Sequence, residues 1–234
     1  IKPLSISNKK ISNTNSRDND IEFTPYEHIY TYKGKRQLLP VSNLVSYFFE
    51  KVDALTQAKK KSDFTGIPAE HFLTEWDKIG KLSRDVGTFL HLQIENYFKK
   101  GFFKTEYTFD YYGDKQIVNI ETEKKHFFDF INDTSIIPYR QEWPIYDLDL
   151  NVAGTIDLIC KEGDGGYSIY DWKRSKKIVD SLGEPIITSY GGKLGLHNLN
   201  IPDTPFYHYC IQQNLYRYIL EKNYKTSPNR TPIW

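Results

Sequence analysis

Two aspartates and a lysine carry the chemistry for which this sequence can be read. Asp157 lies in NVAGTIDLICK, and Asp171 and Lys173 lie in YSIYDWKRSKK. Both stretches are rich in β-branched and aromatic residues, and Gly163-Asp164-Gly165-Gly166 joins them. That pattern predicts a β-hairpin from Asn151 to Lys177. In its first strand Ile156, Leu158 and Cys160 share one face, and Asp157 takes the other. In the second, Asp171 and Lys173 project from one face about 6.7 Å apart. With the turn centred on Asp164, Asp157 falls opposite Asp171, their Cβ atoms roughly 5 Å apart. Like charges so placed destabilise a sheet unless a cation lies between them. Paired carboxylates backed by an ammonium suit a hard metal such as Mg²⁺. A bulge would shift this register by one residue. The plain alternative is an ordinary hairpin with a surface ion pair. Glu123-Lys124-Lys125 has the same acid-x-lysine spacing in an expected helix and reads as coincidence.

The elements that must position these groups follow from periodicity and turn chemistry. Residues 1–20, rich in Ser, Asn and Lys, read as a loose N-terminal arm, and 21–234 as one domain. A hairpin is expected over Glu22–Leu39, turning at Lys33-Gly34, then a helix from Pro40 to about Val52 capped by Ser42. Lys59-Lys60-Lys61 reads as a solvated face, with contact to a DNA backbone as the alternative. A long helical region begins at Pro68, with breaks expected near Gly80 or Gly87 and an apolar stripe of Val86, Leu90, Ile94 and Tyr97. His91 and Glu95 share one edge of that stripe. On spacing alone His91 is a packing or hydrogen-bonding residue as readily as a ligand. A strand pair over 105–120 turning at Gly113-Asp114, a helix over Glu121–Asn132 and a strand over Ile136–Tyr146 lead into the central hairpin. Residues 179–203 form a Gly/Pro/Asn-rich excursion, a kind of loop that is usually functional or mobile. Phe206–Lys225 is a periodic helix that sets Gln212 and Tyr216 one turn apart. From His91 to Lys225 the order is helix, three strands, helix: an α/β, αβββα unit.

Composition narrows the function classes. The chain has 234 residues, with 31 basic and 30 acidic side chains, so nucleic-acid binding would depend on a local patch. Aromatics make up 15%, with 18 tyrosines, which suits stacking surfaces and also fills cores. Two cysteines, Cys160 and Cys210, make no disulfide framework and cannot supply a four-cysteine zinc or iron–sulfur site. A reducing intracellular compartment is therefore expected. No apolar run approaches the ~20 residues of a membrane span, and no signal peptide is visible. The lack of any methionine points to a processed or truncated chain.

Four ordered motifs resemble the RecB-like branch of the PD-(D/E)xK nuclease superfamily. They are Gly87-Thr88…His91…Glu95, Gly154-Thr155-Ile156-Asp157, Asp171-Trp172-Lys173 and Gln212…Tyr216, within residues 76–224. His28…Tyr30…Gly34…Pro40-Val41-Ser42 is more loosely similar to the mitochondrial genome-maintenance exonuclease and its phage and bacterial relatives. The chain departs from iron–sulfur members in lacking their four cysteines, and it has no helicase motif. A final core strand would be missing or would have to come from SPNRTPIW.

The resemblance implies a restriction-endonuclease-like core, a mixed sheet flanked by helices with N-terminal hairpin and helical additions. It also implies a metal site of His91, Asp157, Asp171 and the backbone carbonyl of Trp172, holding Mg²⁺ or Mn²⁺, with Mn²⁺ the better match to an imidazole. Lys173 would orient or help deprotonate the attacking water and stabilise charge on the phosphate. Gln212 and Tyr216 would hold the DNA strand or buttress Lys173. Glu95 and Glu142 would support the ligands from outside, with a purely structural role for Glu142 the alternative. The expected activity is a metal-dependent deoxyribonuclease acting on single strands or ends in the cytoplasm of a bacterium or phage-infected cell. The rival readings are a structure-specific or restriction-type endonuclease and a non-cleaving DNA-binding subunit.

Overall fold

Lys33 and Gly34 both adopt positive φ (48° and 65°) in a tight turn, Lys33 to Lys35, that Lys35 N–H closes by donating to Tyr32 O at 3.1 Å. The computed structural model, which describes residues 13–25, 27–111, 113–134, 136–163, 165–175, 178–226 and 228–230, places a strand on either side of this turn. Strands β1 (Ile21–Thr24), β2 (Ile29–Tyr32) and β3 (Arg36–Pro40) form an antiparallel meander, one strand more than the expected hairpin. Helix α1 (Val41–Tyr47) follows directly. Ser42 does not cap it. Pro40 holds the N-cap position with no side-chain bond, and Phe48 already ends the helix, short of Val52.

The chain then divides into two units, residues 51–129 forming the second as a continuous insertion and the remainder the first. The second contains α2 (Ala54–Thr65), α3 (Ala69–Lys100), the antiparallel pair β4 (Glu106–Tyr111) and β5 (Asp114–Asn119), and most of α4 (Glu121–Thr134). The lysine run lies inside α2, a helix the charge pattern concealed. Helix α3 runs unbroken through Gly80 and Gly87. A glycine there costs about 1 kcal/mol, and burial of Val86, Phe89, Leu90, Ile94 and Phe98 along one stripe outweighs it.

The first unit is α/β, with a mixed sheet flanked by helices. Its remaining elements are β6 (Ile137–Asp147), β7 (Val152–Lys161), β8 (Tyr167–Tyr170), α5 (Pro205–Tyr224) and β9 (Pro228–Arg230). Among the described residues the sheet has seven strands, in the order β1-β2-β3-β7-β8-β9, with β6 along the other edge of β7. β3 and β9 are parallel to their neighbours β7 and β8. Part of SPNRTPIW thus supplies an edge strand after all. Val41, Val45 and Phe49 pack with Tyr216, Ile219, Leu220 and Tyr224 of α5 against Trp143, Ile145, Val152, Ile156 and Ile159 of the sheet. No described helix is long and apolar enough to cross a membrane.

Residues 13–20 are not a loose arm. Asn15 caps a 3₁₀ turn, Ser16–Asp20, through a reciprocal pair of bonds with Asp18. Asp18 also accepts from Trp143 Nε1 (3.0 Å) and pairs with Arg140 (2.8 Å), while the Arg17 guanidinium lies 4.0 Å from the Tyr146 ring centre. Residues 1–12 lie outside the described residues.

Asp147, fully buried where β6 ends, accepts from Leu150 N–H (2.7 Å) and Asn223 Nδ2 (2.8 Å) and pairs with Lys222 (2.8 Å). Burial opposes its charge, but these three donors hold its pKa below the ordinary carboxylate value. A depressed folded-state pKa stabilises fully above the unfolded value of about 4, and that stabilisation is lost as pH falls through the folded value. Asp147→Ala is expected to lower the unfolding free energy by about 3 kcal/mol at neutral pH. Denaturant titrations should show the gap from wild type narrowing below about pH 4.

Candidate functional site

The β7–β8 ladder pairs Lys161 with Tyr167, Cys160 with Ser168, Ile159 with Ile169 and Leu158 with Tyr170. One further step in that register would set Asp157 opposite Asp171, the pairing the turn composition predicts. The strand, however, ends at Tyr170, so Asp171, Trp172 and Lys173 lie just beyond it. The Trp172 amide turns to the Asp157 side chain instead, donating to Oδ2 at 2.8 Å. The Trp172 ring is buried edge-on against Phe130, with centroids 5.5 Å apart, which pins the turn.

The ladder stops here because β7 is shared. On the edge away from β6, β3 pairs with Val152 and Ala153, and β8 begins at Leu158. Gly154–Asp157 therefore sits in a fork between two strands that occupy the same edge at different heights. This fork holds the Gly-Thr-Ile-Asp motif.

Asp171 is 2% exposed and forms an ion pair with Lys173, whose ammonium also lies 5.1 Å from the centre of the Tyr209 ring. Burial opposes the lysine's charge, but the charges of Asp171 and Asp157 outweigh it and raise its pKa. At neutral pH Lys173 is thus an ammonium, suited to hold a proton, orient a water or meet a phosphate oxygen.

Gly154 explains the motif's glycine. A Cβ there would lie 2.5 Å from Tyr216 Cε1 and 2.9 Å from its hydroxyl oxygen. Tyr216 is buried, and Gln212 Nε2 donates to its hydroxyl at 2.8 Å. Burial drives the tyrosine's pKa well up despite that bond. Tyr216 therefore offers no ring face on which a base could stack. It props β7 at the fork, and Gln212 holds its hydroxyl.

Two residues gain importance in the structure. Glu142 lies on β6 between the paired rows Gln141–Leu158 and Trp143–Ile156, facing Asp157. Its backbone is left-handed (φ 46°), a costly conformation for glutamate within a strand. Carboxylate oxygens of Glu142 and Asp157 come within 4.8 Å of each other. Tyr30, on β2, shares a 2.9 Å hydrogen bond with the Thr155 hydroxyl. Burial, only partly offset by that bond and reinforced by the charges of Glu142 and Asp157, pushes its pKa up to about 12. Nothing local in the sequence marks Tyr30 as a neighbour of Thr155, since 125 positions separate them.

The other expected site residues are placed as follows. His91 and Glu95 are on α3 in the second unit, where Glu95 pairs with Lys99. Asp164, on which the expected turn is centred, and Lys177, which ends the expected hairpin, lie outside the described residues. The excursion over 179–203 is tied down by the bridges Val179–Pro185 and Leu194–Pro202, by Leu196 N–H to Phe48 O (2.7 Å), and by Lys193 to Glu50 (2.6 Å).

The fork thus gathers Glu142, Asp157, Asp171 and Lys173, three carboxylates and an ammonium, in one α/β unit. Oxygen donors of this kind suit a hard divalent cation. Comparison of the chain with protein-family models, curated proteins and solved structures finds no match.

Proposed function

We propose that the chain is a metal-dependent deoxyribonuclease with a restriction-endonuclease-like core, acting as an exonuclease on single-stranded DNA or DNA ends inside a cell. The observation that carries this reading is the fork. It ties Asp157 to the segment that carries Asp171 through the Trp172 amide, with Lys173 paired to Asp171 and Glu142 close to Asp157. A sheet serving only structure has no need to bury one carboxylate at the end of the β7–β8 ladder and bring another, on β7, within 4.8 Å of a third on β6. Asp157, Asp171 and the Trp172 carbonyl would hold Mg²⁺ or Mn²⁺, with Glu142 beside them. The resemblance adds His91 as an imidazole ligand. When bound, the metal supplies Lewis-acid polarisation of the phosphate and a more acidic water. The chain's own groups do the rest. Lys173 keeps its proton and presents positive charge to the water and to phosphate oxygens. Tyr216 and Gln212 position β7, and the Trp172 ring anchors the segment between Asp171 and Lys173.

The test uses end-labelled single- and double-stranded DNA and RNA, linear and circular, with Mg²⁺, Mn²⁺ or EDTA. The expected result is chelator-sensitive degradation of linear single-stranded DNA, faster than that of blunt duplex, with little attack on closed circular single strands. Rapid cutting of circles would instead establish an endonuclease. Binding without cleavage under every metal would leave the DNA-binding subunit.

A further inference from the structure

Helix α2 leaves Phe64 90% exposed, on a face where folding gains nothing from it. Gln57, Lys60, Lys61 and Phe64 recur at three- and four-residue intervals and so share that face. With Val52 and Trp76 they line an open groove of about 600 Å³ within the second unit. Lys61 lies over aromatic rings, its ammonium 4.5 Å from the Phe72 centre and 5.8 Å from that of Trp76. The helix is well made for presenting these groups. Asp53 caps its start by accepting from Thr56 N–H at 3.0 Å, Gly66 ends it in the left-handed conformation, and buried Ala58 faces inward.

We propose that this groove binds a single strand of nucleic acid, its bases stacking on Phe64 and Trp76 and its phosphates meeting Lys60 and Lys61. The lining contains two ammonium groups, two aromatic rings and no carboxylate. A single strand presents phosphates and open base faces together, which is the complement of that set. A duplex presents phosphates but hides its base faces, and a purely apolar protein segment would leave the lysines without counter-charge. The chain's formal net charge is only +1, so strand binding must come from a local surface of this kind. The choice of ligand rests on the nuclease reading, but the groove does not use the carboxylates of the fork.

The experiment measures binding of a short fluorescein-labelled oligothymidylate to the full chain by anisotropy in EDTA, across a salt series. Phe64→Ala is expected to weaken binding roughly tenfold without changing the salt slope, because it removes a stacking face. Lys60→Gln/Lys61→Gln keeps the long stems. It is expected to reduce the slope of log K against log salt by about 1.4, the value for two phosphate contacts to a single strand. Hydrolysis of bis-p-nitrophenyl phosphate in Mn²⁺, a substrate too small to reach a second site, should be the same in all three proteins. Equal affinities and slopes in wild type and both variants would overturn the groove. So would failure of the wild type to bind the oligonucleotide while it still hydrolyses the small ester, and that outcome would spare the nuclease reading. Normal oligonucleotide binding in Phe64→Ala, with loss of self-association in sedimentation, would make the groove an interface between copies and overturn the proposal. A wild type that binds the strand but hydrolyses no phosphodiester would refute the nuclease reading alone.

Discussion

Asp171→Asn is expected to reduce metal-dependent DNA cleavage by at least ~10³-fold, since it removes both a proposed ligand and the counter-ion of Lys173. Sequence alone suggests that this change would stabilise the metal-free protein, because two opposed carboxylates repel. The structure reverses that sign. Asp171 is buried against the Lys173 ammonium, and Asp157 is engaged by the Trp172 amide. The variant therefore strands a largely buried cation, at a cost of roughly 2–4 kcal/mol, and should melt below wild type in EDTA. Saturating Mn²⁺ should then raise the wild-type melting temperature. A gain of about 2.7 kcal/mol is expected when the ion stands at a hundred times its dissociation constant, and most of it should vanish in Asp171→Asn. Lys173→Ala separates the two roles, retaining the Mn²⁺-induced shift while losing turnover by orders of magnitude. Equal Mn²⁺ shifts in wild type and Asp171→Asn would place the metal elsewhere.

What could be read from the sequence was local. The glycine-rich turn and the β-branched strands beside it set the hairpin register, while the expected opposition of Asp157 and Asp171 lies one step past the last paired row. The ladder down to Leu158–Tyr170 follows that register. The fork could not be derived in this way. It depends on β3 pairing with Val152 and Ala153 across more than a hundred residues, and no local pattern encodes a pairing of that range. The same limit hid Tyr30 beside Thr155. It also hid the true place of Tyr216, whose helical spacing from Gln212 is legible but whose burial against β7 is not. Glycine misled in the other direction. Gly80 and Gly87 suggested breaks, yet the stripe from Val86 to Phe98 holds α3 together. The lysine run likewise concealed α2, since charge marks a solvated face without saying whether the backbone beneath it is helical. Glu142 was legible as an acid near the hairpin, whereas its left-handed backbone was not. Strain is a property of the fold imposed on a residue, and the residue type does not announce it.

Gly154→Ala should be strongly damaging, since among the glycines compared a Cβ at Gly154 makes the shortest contact. The added carbon would sit 2.5 Å from Tyr216 Cε1 and 3.0 Å from its Cζ, both in a rigid ring rather than at the end of a flexible side chain. Neither partner can yield easily. Gly154 is locked in the β6–β7 ladder opposite Ile145, and Tyr216 is packed among Val45, Ile219 and Leu220 with its hydroxyl held by Gln212. Overpacking at such a site costs roughly 2–4 kcal/mol, or about 5–15 °C in melting temperature for a chain of this size. Asp157 is three residues along the same strand, so any shift of β7 that relieves the clash moves the carboxylate from its place beside Glu142 and the Trp172 amide. Activity should therefore fall further than stability at temperatures where the variant is still folded. A double-mutant cycle tests the cause. Tyr216→Leu removes the ring atoms that collide, so Gly154→Ala should cost much less in that background, with a coupling energy of at least about 1 kcal/mol. If the two changes are simply additive, the glycine serves some need of the β7 backbone other than the approach of Tyr216.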